Sequence, residues 1–438
     1  MNVMHVSACC HLDSIGGTQR FQWDLAAELT RLRVRGSILW LTEDPPGPWI
    51  VDRDVPVFAL ASGGATGLEA AAAALVEAER PSLLHFHTWG HREARLAPVA
   101  REIGIPLAFT FHGAMGLCPN GTLLRWGSTP CDGRILPGRC GSCRVASWLR
   151  TPHAGERGAG GVVANVRSGL RRQRALRHGP GLAMFAQGVR EFLGACSLAF
   201  VPSPRFTGVL TSNGARAEAI RHCPPGVHRS DIPATAGARG DTPREHASSC
   251  VVGYVGRINP SKGLHILLEG FMATSWDGAR LRVVGAPDAT PRAAAYAREM
   301  EAAALSDPRV SFSGALPVGE LAPVYGGLSL LAIPSVGVET GPLVLLEALQ
   351  RGVVPLASNR VGQPELARRH GSLVEPNTPA EWRRTLDRYF DLHRAREAPF
   401  GELAGPPVDL RTMQDVAVDV LEAYRSVLPA PTAAASAT

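Results

Sequence analysis

Two doubly wound parallel sheets, an α/β architecture, are what this chain predicts, on three observations. Its 438 residues are too many for one ordinary core and suit two domains of roughly 200 residues each. Short apolar runs alternate with helical patterns along the chain, as they do where helices cover a parallel sheet. The stretch from Pro334 to Glu365 condenses that pattern into one unit. An apolar strand ends at Pro334, a loop and an apolar helix follow, and a second strand begins at Val353.

In the N-terminal half, strands are expected at residues 3–7, 37–42, 83–87, 107–111 and 198–201, with helices at 18–33 and 67–80. The first strand leads through Asp13-Ser14-Ile15 to Gly16 and Gly17, then into a helix. Paired glycines let the backbone approach a ligand closely, and a helix start favours an anion; a plain turn reads the same way. No G-x-G-x-x-G pattern stands there, which counts against a nicotinamide enzyme. His85 and His87 end a buried strand and read as hydrogen-bonded structural histidines. His112 closes the strand 107–111 and is followed by Gly113, a placement at a sheet edge facing the cleft, where a functional role competes with a structural one.

A cysteine cluster comes next. Cys118, Cys131, Cys140 and Cys143 are four of the nine cysteines and fall within one loop rich in Gly, Pro and Arg. A loop this long needs something to order it. The C-x-x-C at Cys140 and Cys143 fits a structural zinc site, with an iron–sulfur cluster as the lesser option and reduced thiols or a disulfide as the alternatives. Further on, Arg167, Arg171, Arg172, Arg174 and Arg177 form a basic stretch that suits either an anionic membrane surface or, more simply, a solvated face.

Composition narrows the class. A hydrophobic content of 45% describes a soluble globular protein, no apolar run reaches the roughly 18 residues of a membrane span, and no signal-like pattern opens the chain, so the cytoplasm is expected. The net charge is +6, and Lys262 is the only lysine among 45 Lys and Arg residues. A compact, flexible point charge is what a phosphate site asks for. Basic residues are not interleaved with aromatics and no nucleic-acid motif occurs, which argues against a nucleic-acid partner.

The C-terminal half opens with an expected strand at 251–255 and then Gly256-Arg257-Ile258-Asn259-Pro260-Ser261-Lys262-Gly263. Arg257 and Lys262 flank a short turn after a parallel strand, so both can meet one anion. A Walker loop fails, because Lys262 precedes Gly263 and no Ser or Thr follows. Strands are expected at 281–285, 310–314, 328–333 and 353–357, and later helices at 379–390 and 408–427. Glu339 lies in the loop after Pro334, and Glu347 sits inside an almost wholly apolar helix with no polar face to occupy. A buried carboxylate there needs partners: ligand hydroxyls, a backbone amide or a cation. Gly341, Pro342 and Leu343 open that helix, with Pro342 expected at its first position and Gly352 just past its end, and its start offers N–H groups to an anion.

Glu339 and Glu347 at this spacing, with Pro334-Ser335 before and Gly352 and Pro355 after, resemble the signature of glycosyltransferase family 4. Its members are retaining, nucleotide-sugar-dependent enzymes of the GT-B fold. The matching pattern runs from about 251 to 365, and weaker cues reach the N-terminus. The resemblance implies two Rossmann-like domains facing across a cleft. Residues 1–203 would form the acceptor side, with the Cys-rich loop at 113–145, and 204–385 would bind the nucleotide sugar. Residues 386–427 would add helices, the last packing back on the first domain, before a disordered tail at 428–438.

The resemblance also assigns roles. Arg257 and Lys262, with the helix start at Gly341, Pro342 and Leu343 and the glycines Gly16 and Gly17, would hold the donor diphosphate. Glu339 would meet the donor sugar hydroxyls, Glu347 the ribose, and His112 the donor sugar or the acceptor near the anomeric carbon. The leaving phosphate would take the acceptor's proton, so no catalytic cofactor or divalent cation is required. UDP-, GDP- and dTDP-sugars are all open as donors for this hexosyl-type transfer. A sugar, a lipid-linked sugar or a natural-product core is open as acceptor, in natural-product or cell-surface glycan biosynthesis. An epimerase or phosphorylase on the same fold, or a non-catalytic nucleotide-sugar-binding protein, would share these features.

Overall fold

The computed structural model describes residues 1–7, 16–42, 50–52, 55–61, 65–90, 93–126, 129–149, 179–227, 249–288, 290–395 and 410–429. The expectations for Asp13-Ser14-Ile15, for the basic stretch 167–177, and for the tail beyond 429 lie outside these residues. By contacts the chain forms two compact units, Met1–Gly226 with Thr412–Thr438, and Val227–Arg411.

The first unit is built on an eight-stranded sheet. Its strands are β1 (Asn2–Ser7), β2 (Arg35–Thr42), β3 (Ile50–Asp52), β4 (Val55–Ala61), β5 (Leu83–Phe86), β6 (Leu107–Thr110), β9 (Cys196–Val201) and β10 (Ile220–His222). A separate two-residue hairpin, β7 (Leu124–Arg125) and β8 (Thr129–Pro130), sits in the cysteine loop. The sheet order is β10-β9-β6-β5-β1-β2-β4-β3, and every pairing is parallel except β3 with β4. β1, β5 and β6 are buried along nearly their whole length, on both faces of the sheet, with His5, Ser7, His85 and Thr110 as their buried polar members.

The helix Met413–Val427 belongs to this unit. Thr412 and Asp415 form a reciprocal capping box at its start. Val416, Val420, Leu421 and Tyr424 then pack with Phe21 and Leu25 of the helix Gly17–Arg31 and with Val3 and Leu83 of the sheet. Tyr424 also hydrogen-bonds His85 in the middle of β5. The expected helix at 408–427 thus starts at Met413, where the capping box fixes its first turn.

The second unit holds a six-stranded parallel sheet, β11 (Cys250–Val255), β12 (Ala279–Val284), β13 (Val310–Phe312), β14 (Leu330–Ile333), β15 (Val354–Ser358) and β16 (Ser372–Val374), in the order β13-β12-β11-β14-β15-β16. The chain leaves β11 towards β12 on one side and later returns to pair β14 on the other. The topological switch therefore lies between β11 and β14, where open α/β sheets bind ligands at the carboxyl ends. The helix Pro379–Arg394 contributes Trp382, Leu386, Tyr389 and Phe390 to the core beneath.

Pro342 is a correction. It occupies the N-cap of the helix Leu343–Gln350 in extended conformation and not the first helical position. At the other end Gly352 is left-handed, its N–H bonding Leu349 O while Val353 N–H bonds Ala348 O, the paired closure of a Schellman motif. Strands β3, β4, β10 and β16 and the helices Gly179–Ala195 and Pro291–Ala304 are among the elements that were not expected. β4 carries Pro56 and the shorter strands span three residues, too few to register a period. Among the described residues no helix is long and apolar enough to cross a membrane.

Replacing Tyr424 by Phe keeps the ring and removes its bond to buried His85. This is expected to destabilise the unit that carries it by about 1–3 kcal/mol, read as a lower unfolding midpoint in urea; an unchanged midpoint would show that the bond contributes nothing net.

Candidate active site at the switch point of the second sheet

Two loops meet at the carboxyl ends of β11 and β14, and backbone chemistry locks them together. After β11, Asn259 caps a single 3-10 turn, Pro260–Lys262, by accepting from Lys262 N–H. Gly263 follows in left-handed conformation, where a Cβ would lie 2.0 Å from Pro334 O. Only glycine allows that approach. Ser261 O then accepts from both Val336 and Gly337 N–H of the second loop, each at 2.9 Å. The second loop is pinned from behind: Ser358 Oγ and Asn377 Nδ2 donate to Ser335 O, and Glu339 N–H donates to Arg360 O.

This frame brings charged side chains together. Lys262 Nζ lies 2.6 Å from Glu339 Oε1, which also accepts from Ser335 Oγ. Burial pushes the Glu339 carboxyl up, but the charge of Lys262, the hydrogen bonds from Lys262 and Ser335, and the nearby charge of Arg257 outweigh it and hold the group below its ordinary value. Arg257 Nη1 donates to Asp288 Oδ1 at 2.9 Å, and Asn259 Nδ2 donates to Asp288 Oδ2 at 2.7 Å. The backbone of Arg257 is fixed from below by Tyr254, whose hydroxyl donates to its carbonyl. Both cations expected to meet an anion therefore already hold a carboxylate each. Arg257 remains 59% exposed on its side chain and Lys262 27%, so both can exchange that partner for a ligand.

The helix Leu343–Gln350 starts at the same end, and no side chain caps it, because Pro342 has none that can accept a hydrogen bond. Glu347, buried as expected, has as one partner Tyr325 Oη at 2.6 Å. Gly256, Gly285 and Gly314 stand at the ends of three adjacent strands with positive φ, and a Cβ on Gly285 would fall 1.8 Å from Gly256 O. These strand ends thus present backbone rather than side chains.

Of the expected site residues, Arg257, Lys262, Glu339, Gly341, Pro342 and Leu343 lie on this frame, and Glu347 lies on the helix that leaves it. Gly16, Gly17 and His112 belong to the first unit. Gly16 is the N-cap of the helix Gly17–Arg31, and His112 Nε2 lies 3.0 Å from His87 Nδ1. Cys140 and Cys143 lie on the helix Pro137–Leu149, and Cys118 and Cys131 precede it. Among the described residues the one set of three ligand atoms within 4.8 Å of one another is His5, His85 and His87. All four thiols of the cluster are free and half-buried. Cys143 Sγ accepts from Trp126 N–H and Asn120 Nδ2, and lies 3.5 Å from Leu124 O. Asp288 and Tyr325 escaped the sequence reading, and Asn259 and Ser335 entered it only as part of the turn and of the signature. For Asp288 a signal existed, since it follows the end of β12, the strand beside β11.

The sign of the Glu339 effect is fixed by its direction. A carboxylate held below its unfolded value of 4.5 stabilises the fold at higher pH, and that contribution is lost as pH falls through the folded value. Lys262→Met, which removes the cation and leaves Glu339 buried, is expected to move the acid-unfolding midpoint to higher pH in a fluorescence titration. Superimposable acid curves would contradict the pairing.

Family models match both halves: "Glycosyl transferase 4-like domain" over residues 16–157 and "Glycosyl transferases group 1" over 249–391. The D-inositol 3-phosphate glycosyltransferase of Corynebacterium efficiens is 30% identical over 153 residues, 33% of this chain and 36% of that protein. The enzyme of the same description from Corynebacterium urealyticum is 29% identical over 192 residues, 42% and 45% of the two chains. The chain thus matches less than half the length of each of these relatives. Similar folds include Anabaena HepE in complex with UDP and glucose, with TM-score 0.64, 17% identity and coverage of 98% of this chain and 100% of that one. The sucrose-phosphate synthase of Thermosynechococcus elongatus has TM-score 0.67, 17% identity and coverage of 97% and 98%. With two parallel-sheet α/β domains and both family models in place, the chain belongs to the GT-B glycosyltransferases of the family 4 type.

Proposed function

We propose that this chain is a retaining hexosyltransferase that uses a nucleotide diphosphate sugar, and that the switch-point frame of the second unit receives the donor. The observation that carries the reading is the pair of exchangeable cations, Arg257 and Lys262, set beside an uncapped helix start. Breaking the bond at the anomeric carbon moves negative charge onto the leaving diphosphate. Lys262, Arg257 and the N–H groups of Gly341 and Leu343 would stabilise that charge as it develops, which lowers the barrier and does not merely tighten binding. Glu339, released from Lys262 as the phosphate arrives, accepts hydrogen bonds from the donor sugar hydroxyls. Glu347, oriented by Tyr325, does the same for the ribose. The leaving phosphate itself takes the acceptor's proton, so no second carboxylate is required as a base, in contrast to the usual hydrolase arrangement.

UDP and UDP-glucose occupy structures of the same fold, which supports a nucleotide-sugar donor here and puts UDP-sugars first in a screen ahead of GDP- and dTDP-sugars. The acceptor belongs to cell-surface glycan or natural-product biosynthesis. Gly16 and Gly17 at the start of their helix would add to diphosphate binding, and His112 would meet the transferred sugar or the acceptor. For the cysteine cluster, zinc suits the thiol donor set, but the sulfurs would have to close in from their present separations.

Three measurements test these assignments. Lys262→Ala is expected to lower kcat for sugar transfer by at least about a hundredfold, the scale of one lost preorganised donor at about 2.7–4 kcal/mol, with the fold retained by circular dichroism; near-normal turnover would refute the role. Incubation with donor alone checks the same reading, because a product formed without acceptor would mark an epimerase or phosphorylase. Elemental analysis of the purified chain is expected to find about one zinc per chain if the thiols converge on metal, and a metal-free chain of undiminished thermal stability would end that part of the proposal.

A further inference from the structure

Four histidines gather on the face of the first sheet that the helices Gly17–Arg31 and Met413–Val427 cover. His5 on β1 and His85 on β5 are register partners, His87 directly follows β5, and His112 stands two residues past β6. Three of the rings form a series. His5 Nδ1 lies 2.9 Å from His87 Nε2, and His87 Nδ1 lies 3.0 Å from His112 Nε2. His85 stands beside the series, its two nitrogens engaged by Tyr424 Oη and Thr110 Oγ1. His5, His85 and His87 are fully buried. Desolvation pushes His5 down to about 3 and holds His85 and His87 well below their ordinary value, so these rings are neutral at physiological pH.

A neutral imidazole has one N–H and one lone pair, so each contact in the series needs one donor and one acceptor. Only two arrangements satisfy both contacts. Either His5 donates to His87 and His87 to His112, or every bond is reversed. The choice rests on the far end. His5 Nε2 is buried and has no hydrogen-bond partner among the described residues. In the reversed arrangement that atom carries a hydrogen with nothing to accept it; in the first it is a bare lone pair. Orphaned N–H groups are the rarer and costlier of the two in protein interiors.

We infer that His5 and His87 are positioning residues whose hydrogen-bonded series fixes His112 as its Nδ1–H tautomer. Nε2 of His112 is then an acceptor inside the protein, and Nδ1 carries the hydrogen. Where His112 meets the sugar or acceptor it does so as a neutral hydrogen-bond donor and not as a base. This functional half rests on the role of His112 proposed above, whereas the tautomer does not. A metal ion on His5, His85 and His87 is the competing use of the same atoms. It would have to displace existing bonds, since both nitrogens of His85 and of His87 are engaged, and no carboxylate joins the set to offset its charge.

Nitrogen-15 shifts of the full-length, histidine-labelled chain read the tautomer directly, with His112 assigned from its Asn variant. The expected result is His112 protonated on Nδ1. In His87→Gln and His5→Phe the population should move towards the Nε2–H form, and kcat for transfer should fall by about tenfold or more while KM for the donor stays within about twofold. His85→Gln removes the bonds to Tyr424 and Thr110 but lies off the series, so it should lower stability and leave the His112 tautomer as it was. An Nε2–H His112 in the parent chain overturns the inference, as does a tautomer that His87→Gln and His5→Phe fail to move, or that His85→Gln moves equally. So does stoichiometric metal lost selectively in His5→Phe. A tautomer that shifts without any change in kcat overturns the functional half. A parent chain inert towards every nucleotide sugar would instead overturn the proposed function and leave the tautomer assignment standing.

Discussion

Ser261 O accepting two successive N–H groups, from Val336 and Gly337, is the contact on which the second unit's site depends. It ties the loop after β11 to the loop after β14, and Gly263 permits it by passing within contact distance of Pro334 O. Because both loops start from rigid parallel strands, the tie fixes where Lys262 and Glu339 stand relative to each other. Without it, two side chains 77 residues apart in sequence would meet only by chance. The ion pair is thus a consequence of the backbone lock and not its cause.

The paired state of the cations gives the site its electrostatic character. Asp288 orients Arg257 and Glu339 orients Lys262, so both charges are held in place before any ligand binds. Preorganised charge needs little rearrangement as the transition state forms. In the function proposed above, exchange of carboxylate for phosphate would also set Glu339 free to accept hydroxyl hydrogen bonds, linking donor binding to sugar recognition through a single residue.

The first unit solves a different problem, that of burying polar rings. Four imidazoles, a tyrosine and a threonine share one covered face and hydrogen-bond to one another. Such a network is stable only when nearly every atom is satisfied. Tyr424, delivered by a helix from the far end of the chain, supplies one of those bonds, so the return of residues 413–427 completes the polar interior as well as the apolar core.

Sequence alone determined the alternation of strands and helices, the Arg257 and Lys262 turn, the loop and helix that carry Glu339 and Glu347, and the family. Each is a local matter: apolar runs report buried parallel strands, and glycine with proline marks the turns between them. Tertiary structure decided the partners. Nothing in the spacing of Glu339 says that Lys262 and Ser335 hold it, nothing around Glu347 names Tyr325, and Asp288 drew no notice because an isolated acid after a strand is an ordinary residue until Arg257 folds against it. His85 and His87 read correctly as hydrogen-bonded, yet only the register of β1 on β5 could show that His87 joins His5 to His112. The cysteines mark another limit, since C-x-x-C spacing suggested a loop and the fold sets Cys140 and Cys143 on the helix Pro137–Leu149. Sequence period fixes which face a side chain occupies, whereas hydrogen bonds and ion pairs depend on angstrom separations that only strand register and loop packing set.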